Sequence, residues 1–80
     1  MIITLEISYY PLGKDYIAPI TKFIESVENK NLMVEVGSMS TLITGDYNVV
    51  MEVITNSMKD LMDVYPSVFN LKISNSCYSE

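Results

Sequence analysis

Along this 80-residue chain the spacing of apolar side chains switches four times between two residues and three or four, and that order of switches admits few folds. Over residues 2–10, Ile3, Leu5, Ile7 and Tyr9 alternate with Thr4, Glu6 and Ser8, the period of a half-buried strand. Pro11-Leu12-Gly13 ends it. From Ile17 the spacing lengthens: Ile17, Ile20, Phe23, Ile24 and Val27 form one stripe of a helix, with Pro19 in its first turn, where a missing N–H is harmless. Asn29-Lys30-Asn31 closes that helix. Leu32, Val34 and Val36 then mark a second strand, and residues 41–44 a third. Gly45-Asp46 opens a second helix with Asp46 as N-cap and Val50, Val53, Ile54, Met58, Leu61 and Met62 at helical spacing. Tyr65-Pro66 stops it, and Phe69, Leu71 and Ile73 alternate in a last strand.

The order βαββαβ predicts an α+β, ferredoxin-like sandwich: a four-stranded antiparallel sheet with two helices on one face. One domain over residues 1–75 is expected, with a flexible tail at 76–80. If the helices cover one face, the other carries Ile2, Thr4, Glu6, Ser8, Met33, Glu35, Met39, Asn70 and Lys72. That mixture is too apolar for comfortable exposure and too polar for a core. It suits an oligomer interface or a ligand-bearing surface.

A chain of this length buries only about 60% of its extended surface, so a staple is expected. Cys77 is the only cysteine, which excludes an intramolecular disulfide, and the absence of histidine removes the usual transition-metal clusters. Self-association remains, giving a homo-oligomer, dimer or tetramer. Ten acidic residues against five lysines, with no arginine and a net charge of −5, oppose phosphate contacts and argue against a nucleic-acid partner. The N-terminus lacks a basic n-region, and no apolar run approaches the ~20 residues of a membrane span. With an unpaired cysteine, a cytoplasmic protein with no membrane partner is expected.

The stretch SMSTLITGD, residues 38–46, concentrates Ser38, Ser40, Thr41 and Thr44 where one strand hands over to the next. Ser40 and Thr41 are expected to join the two strands, with no conventional two-residue hairpin turn. Two accounts are open. These hydroxyls satisfy local backbone groups, or they supply the few placed polar contacts that orient a small ligand in an apolar cleft.

Pro11-Leu12-Gly13, Met39-Ser40-Thr41, Thr44-Gly45-Asp46 and Val50-Met51-Glu52, in this order and spacing, resemble the motifs of the small thiamine-binding protein family over about residues 2–74. The resemblance implies a ferredoxin-like fold, homo-oligomers, and binding of thiamine or its hydroxymethylpyrimidine part without chemistry on it. This sequence departs from the family pattern at Ser40, where members carry glycine, at Thr44 in place of a glutamate, and at Met58, where many have histidine.

The candidate ligand-binding residues are therefore Thr41, Ser40, Ser38, Gly45, Tyr10 and Tyr16. Thr41 leads. Tyr10 and Tyr16 flank Pro11-Leu12-Gly13, where an aminopyrimidine could stack and a thiazolium cation use a ring face; Tyr9, in phase with Ile3, Leu5 and Ile7, reads as core. Gly13 and Gly45 serve backbone geometry first. Glu6 and Glu35 share the open face with Lys72 and read as surface or interface rather than a catalytic pair. Met51, Met58 and Met62 read as core filler, and Cys77 has no assigned role.

No catalytic residue, metal or cofactor is expected, and the reading is a non-enzymatic small-molecule binding protein. The alternative is a regulatory or protein-interaction module with a vestigial cleft. Enzymatic versions of the fold are disfavoured: an acylphosphatase-like site needs an arginine, and this chain has none.

Overall fold

A computed structural model describes residues 1–76. Its elements follow in the order β1 (Ile2–Pro11), α1 (Ile17–Val27), β2 (Met33–Val36), β3 (Thr41–Asp46), α2 (Tyr47–Val64) and β4 (Ser67–Ser74). The strands form one antiparallel sheet in the order β2-β3-β1-β4, so the fold is the ferredoxin-like α+β sandwich. Of the tail expected from residue 76, only Ser76 is described; Cys77 and the residues after it lie outside the described residues.

β3 and β1 are the two central strands. Ile3, Leu5 and Ile7 are buried against Phe23 and Val27 of α1 and Val50, Ile54 and Leu61 of α2, with Ile43 of β3 completing the core. Each helix is fixed at its start by an aspartate. The Asp15 carboxylate accepts from the backbone N–H of Ile17 and Ala18 at 3.1 and 3.3 Å, and Asp46 accepts from Asn48 N–H at 3.1 Å, satisfying donors that a helix N-terminus leaves free. Pro19 occupies the first turn of α1 and is also buried. Between the helices, Ser57 is buried and hydrogen-bonds Ser26, whose hydroxyl also donates to Phe23 O at 2.7 Å. α2 ends where Tyr65 N–H donates to Leu61 O at 2.8 Å and Pro66 follows.

Several boundaries differ from the sequence reading. β1 runs on through Pro11, which pairs with Ser67 of β4, because the end of a strand tolerates a residue without an N–H. β3 continues through Gly45 and Asp46, held opposite Ile3 and Ile2. β2 begins at Met33, after Leu32 N–H has turned back onto Asn29 O. The strands β2 and β3 are not joined at Ser40 and Thr41: Gly37 N–H donates to Ser40 O at 2.9 Å, and Ser38 and Met39 form the tip. Ile17 and Met62, assigned to the apolar stripes, are exposed, since each lies at the margin of a helical face rather than at its centre. Among the described residues no helix is long and apolar enough to cross a membrane.

Candidate ligand-binding site

The cavity of interest follows from unequal strand lengths. β3 starts at Thr41, opposite Ile7, whereas β1 continues past Ile7 to Pro11. Past Ile7, β1 keeps β4 on one side but has no strand on the other, where its helix-facing side chains meet α1 and the β2–β3 turn. A cavity of about 130 Å³ results. Ile7, Tyr9, Ile20, Phe23, Ile24 and Val36 form its apolar wall, and Gly37, Ser38, Met39, Ser40 and Thr41 its edge. None of these side chains is charged.

Tyr9 is the organising ring. It lies flat on Phe69, with centroids 4.5 Å apart and planes at 7°, and tilts against Phe23 at 5.6 Å and 51°. Its hydroxyl is 2.9 Å from Ser67 Oγ, which in turn donates to Tyr65 O. The ring is thus held by stacking on one side and by a hydrogen bond at its tip, and it still faces the cavity.

Thr41 is only 5% exposed and sits on the helix side of the sheet, between Ile7 and Val36. Its hydroxyl makes no hydrogen bond to another side chain or to the backbone among the described residues. No fully enclosed side-chain polar atom there lacks a partner, so this hydroxyl opens onto accessible space at the cavity it lines. Ser40, one residue back, turns the other way and donates to Glu6 Oε2 at 2.9 Å while also bordering the cavity. Ser38 stands exposed at the tip beside Met39, whose carbonyl accepts from Ser8 Oγ at 3.3 Å. Gly37 eases this closure, because a Cβ there would stand a tight 3.0 Å from Ser40 O.

Three of the six candidates, Thr41, Ser40 and Ser38, therefore gather at one cavity. The other three do not join them. Gly45 lies at the far end of β3, where a Cβ would collide with the Leu32 side chain and meet Val50, so its position is set by close packing. Tyr10 points to the open face of the sheet, and Tyr16 lies exposed just before α1. The aromatic residues that do face the cavity, Tyr9 and Phe23, were read from their phase as core. They are core too, and Tyr9 keeps a free surface because β3 begins only opposite Ile7 and does not reach it.

Residues 5–76 match the model of the thiamine-binding protein family. The chain belongs to that family. Among the family-like stretches, Met39-Ser40-Thr41 borders the cavity, while Thr44-Gly45-Asp46 and Val50-Met51-Glu52 lie elsewhere. Solved structures agree on the fold. A domain of unknown function from Bacillus cereus is 25% identical with a TM-score of 0.80, covering 95% of this chain and 77% of that one. A hypothetical protein from Methanocaldococcus jannascii is 26% identical with a TM-score of 0.81, covering 99% and 84%. A putative thiamine biosynthesis/salvage protein from Thermotoga maritima is 22% identical with a TM-score of 0.83, covering 95% and 85%, a likeness of fold alone. No curated protein matches the chain.

Proposed function

We propose that this protein binds thiamine or its hydroxymethylpyrimidine part in the cavity between α1 and the β2–β3 turn, without catalysing a reaction on it. The observation that carries the reading is Thr41, whose hydroxyl has no hydrogen-bond partner among the described residues, lining an apolar cavity walled by the rings of Tyr9 and Phe23, in a chain of the thiamine-binding family. An apolar pocket with a few placed polar groups is the ordinary design of a small-molecule site.

Size refines the reading. The cavity volume, about 130 Å³, falls below the ~300–1,000 Å³ of pockets that enclose drug-sized ligands. It is close to the ~150 Å³ of an engineered cavity that holds benzene. One six-membered ring fits inside. The aminopyrimidine would enter against Tyr9 with a polar atom on Thr41, and the thiazolium would remain at the mouth, beside Ser38 and Met39. The lining carries no charged side chain, cysteine or histidine, and the Ser40 hydroxyl is turned to Glu6 on the other face, which supports binding without chemistry.

Assembly belongs to the same proposal. Ile2 and Met33 stand 60% and 71% exposed on the sheet face away from the helices, and a small core has little stability to spare for that. A homo-oligomer that covers this corner, in the cytoplasm, is the arrangement we propose. Titration calorimetry with thiamine and with hydroxymethylpyrimidine tests the binding claim. Saturable heat with one ligand per chain is expected, and no heat or thermal shift at millimolar ligand overturns it for these compounds.

A further inference from the structure

The open face of the sheet carries a second concavity, and its origin is the register. Glu6 of β1 pairs with Leu42 of β3 and Lys72 of β4, while Ser8 pairs with Asn70. Continuing one step past Ile7↔Thr41 brings Ser40 opposite Ser8, and Gly37 is joined to Ser40 by its N–H. Directly opposite residues point to the same face of a sheet, so Gly37, Ser40, Ser8 and Asn70 form one row across it. Three of the four are small. Beside the row stand the long side chains of Glu6 and Lys72 on one flank and Tyr10 and Met39 on the other, and between them lies a trough of about 280 Å³.

Its polar groups are arranged in opposite pairs. Glu6 Oε2 accepts from Ser40, and Glu6 Oε1 stands 3.9 Å from Lys72 Nζ, too far for a hydrogen bond. Among the described residues the carboxylate therefore keeps free acceptor sites and the ammonium all three donors. Asn70 adds an amide, and the half-exposed Tyr10 ring gives an apolar wall. One anion and one cation border the trough. A ligand with only a negative charge would meet Glu6 and the chain's net charge of −5, and one with only a positive charge would meet Lys72. A molecule bearing both satisfies both.

We infer that this trough is a binding site, distinct from the cavity under α1, for a zwitterion of amino-acid size. Its ammonium lies on Glu6, its carboxylate on Lys72 and Asn70, and its side chain against Tyr10 and Met39. The volume is near the lower bound of about 300 Å³ for small-molecule pockets, which suits an occupant of amino-acid size. Met39 and Ser40 border both sites, but the charged groups that recognise the zwitterion, Glu6 and Lys72, border only the trough. It also leaves the Ile2–Met33 corner free: Thr4, in the row with Met33, is four strand residues from Ser8, about 13 Å at ~3.3 Å per residue.

The test is amide-shift titration of the isotope-labelled full chain with each common L-amino acid at up to millimolar concentration. Saturating shifts at Glu6, Ser8, Asn70 and Lys72 are expected for at least one. For that amino acid, the amine lacking the carboxylate, the acid lacking the amine, and the variants Glu6→Gln and Lys72→Gln should each weaken binding about tenfold or more. Failure of every amino acid to saturate overturns the inference, as does equal binding of a singly charged analogue. Trough amides that respond to protein dilution but to no amino acid would place a second copy of the chain there and overturn it as well.

Discussion

The Tyr9 ring lies parallel to that of Phe69 at 4.5 Å, and this one contact makes Tyr9 both a core residue and the wall of the cavity. The stack fixes the ring from behind, so its other face is presented without a rotamer search, which lowers the entropy lost when a ligand ring arrives. Removing the hydroxyl separates the two duties. Tyr9→Phe loses the bond to Ser67 and should cost about 0.5–1.5 kcal/mol of stability by urea unfolding, while ligand affinity changes little. An affinity loss larger than the stability loss would show that the hydroxyl, and not the ring, contacts the ligand.

Thr41→Val keeps the side-chain volume and removes a hydroxyl that has no hydrogen-bond partner among the described residues. Stability should hold or rise slightly, because a polar group without a protein hydrogen bond is replaced by a methyl. Ligand affinity should fall by about 0.5–1.5 kcal/mol, the scale of one net hydrogen bond. A fall in stability with unchanged affinity, measured by unfolding and calorimetry on the same sample, would return Thr41 to a structural duty.

Gly45→Ala places a methyl against the end of the half-buried Leu32 side chain, which must swing aside. The cost should fall at the lower end of the range for overpacking, about 1–3 kcal/mol. A lower melting temperature with thiamine affinity unchanged is expected. A selective loss of affinity would bring Gly45 back among the binding residues.

Asp46→Ala removes the N-cap of α2 and should destabilise the chain by about 0.5–2 kcal/mol in chemical unfolding. An unchanged midpoint would mean that the turn from β3 into α2 is held by the Tyr47 N–H to Met1 O bond alone.

Met33→Lys puts a charge at the exposed apolar corner. If copies of the chain meet there, the variant should sediment as a smaller species and melt lower, and the melting of the parent should fall on dilution, because assembly and folding are linked by mass action. A parent that is monomeric at micromolar concentration, with melting independent of dilution, would contradict the assembly.

The element order and the face of every strand were legible because period two and period three-to-four are incompatible in one segment, as Ile3-Leu5-Ile7 and Val50-Ile54-Leu61 illustrate. The cavity was not. Thr41, Ser40 and Ser38 all border the cavity, but Ser40 donates its hydroxyl to Glu6 on the other face, so neighbours in sequence need not turn their hydroxyls to one ligand. Tyr9 lines the cavity because β3 begins opposite Ile7, a register fact set by where the turn closes. That closure depends on the approach of Gly37 to Ser40 O, and periodicity carries no trace of it.

The central claim places a single pyrimidine ring between Tyr9, Phe23 and Thr41. Intermolecular nuclear Overhauser effects from the hydroxymethylpyrimidine ring methyl test it most directly. Cross-peaks to the ring protons of Tyr9 and Phe23 and to the Thr41 methyl are predicted. Saturable binding with cross-peaks only to Tyr10, Tyr16 or other residues away from the cavity, or no binding at millimolar ligand, would contradict it.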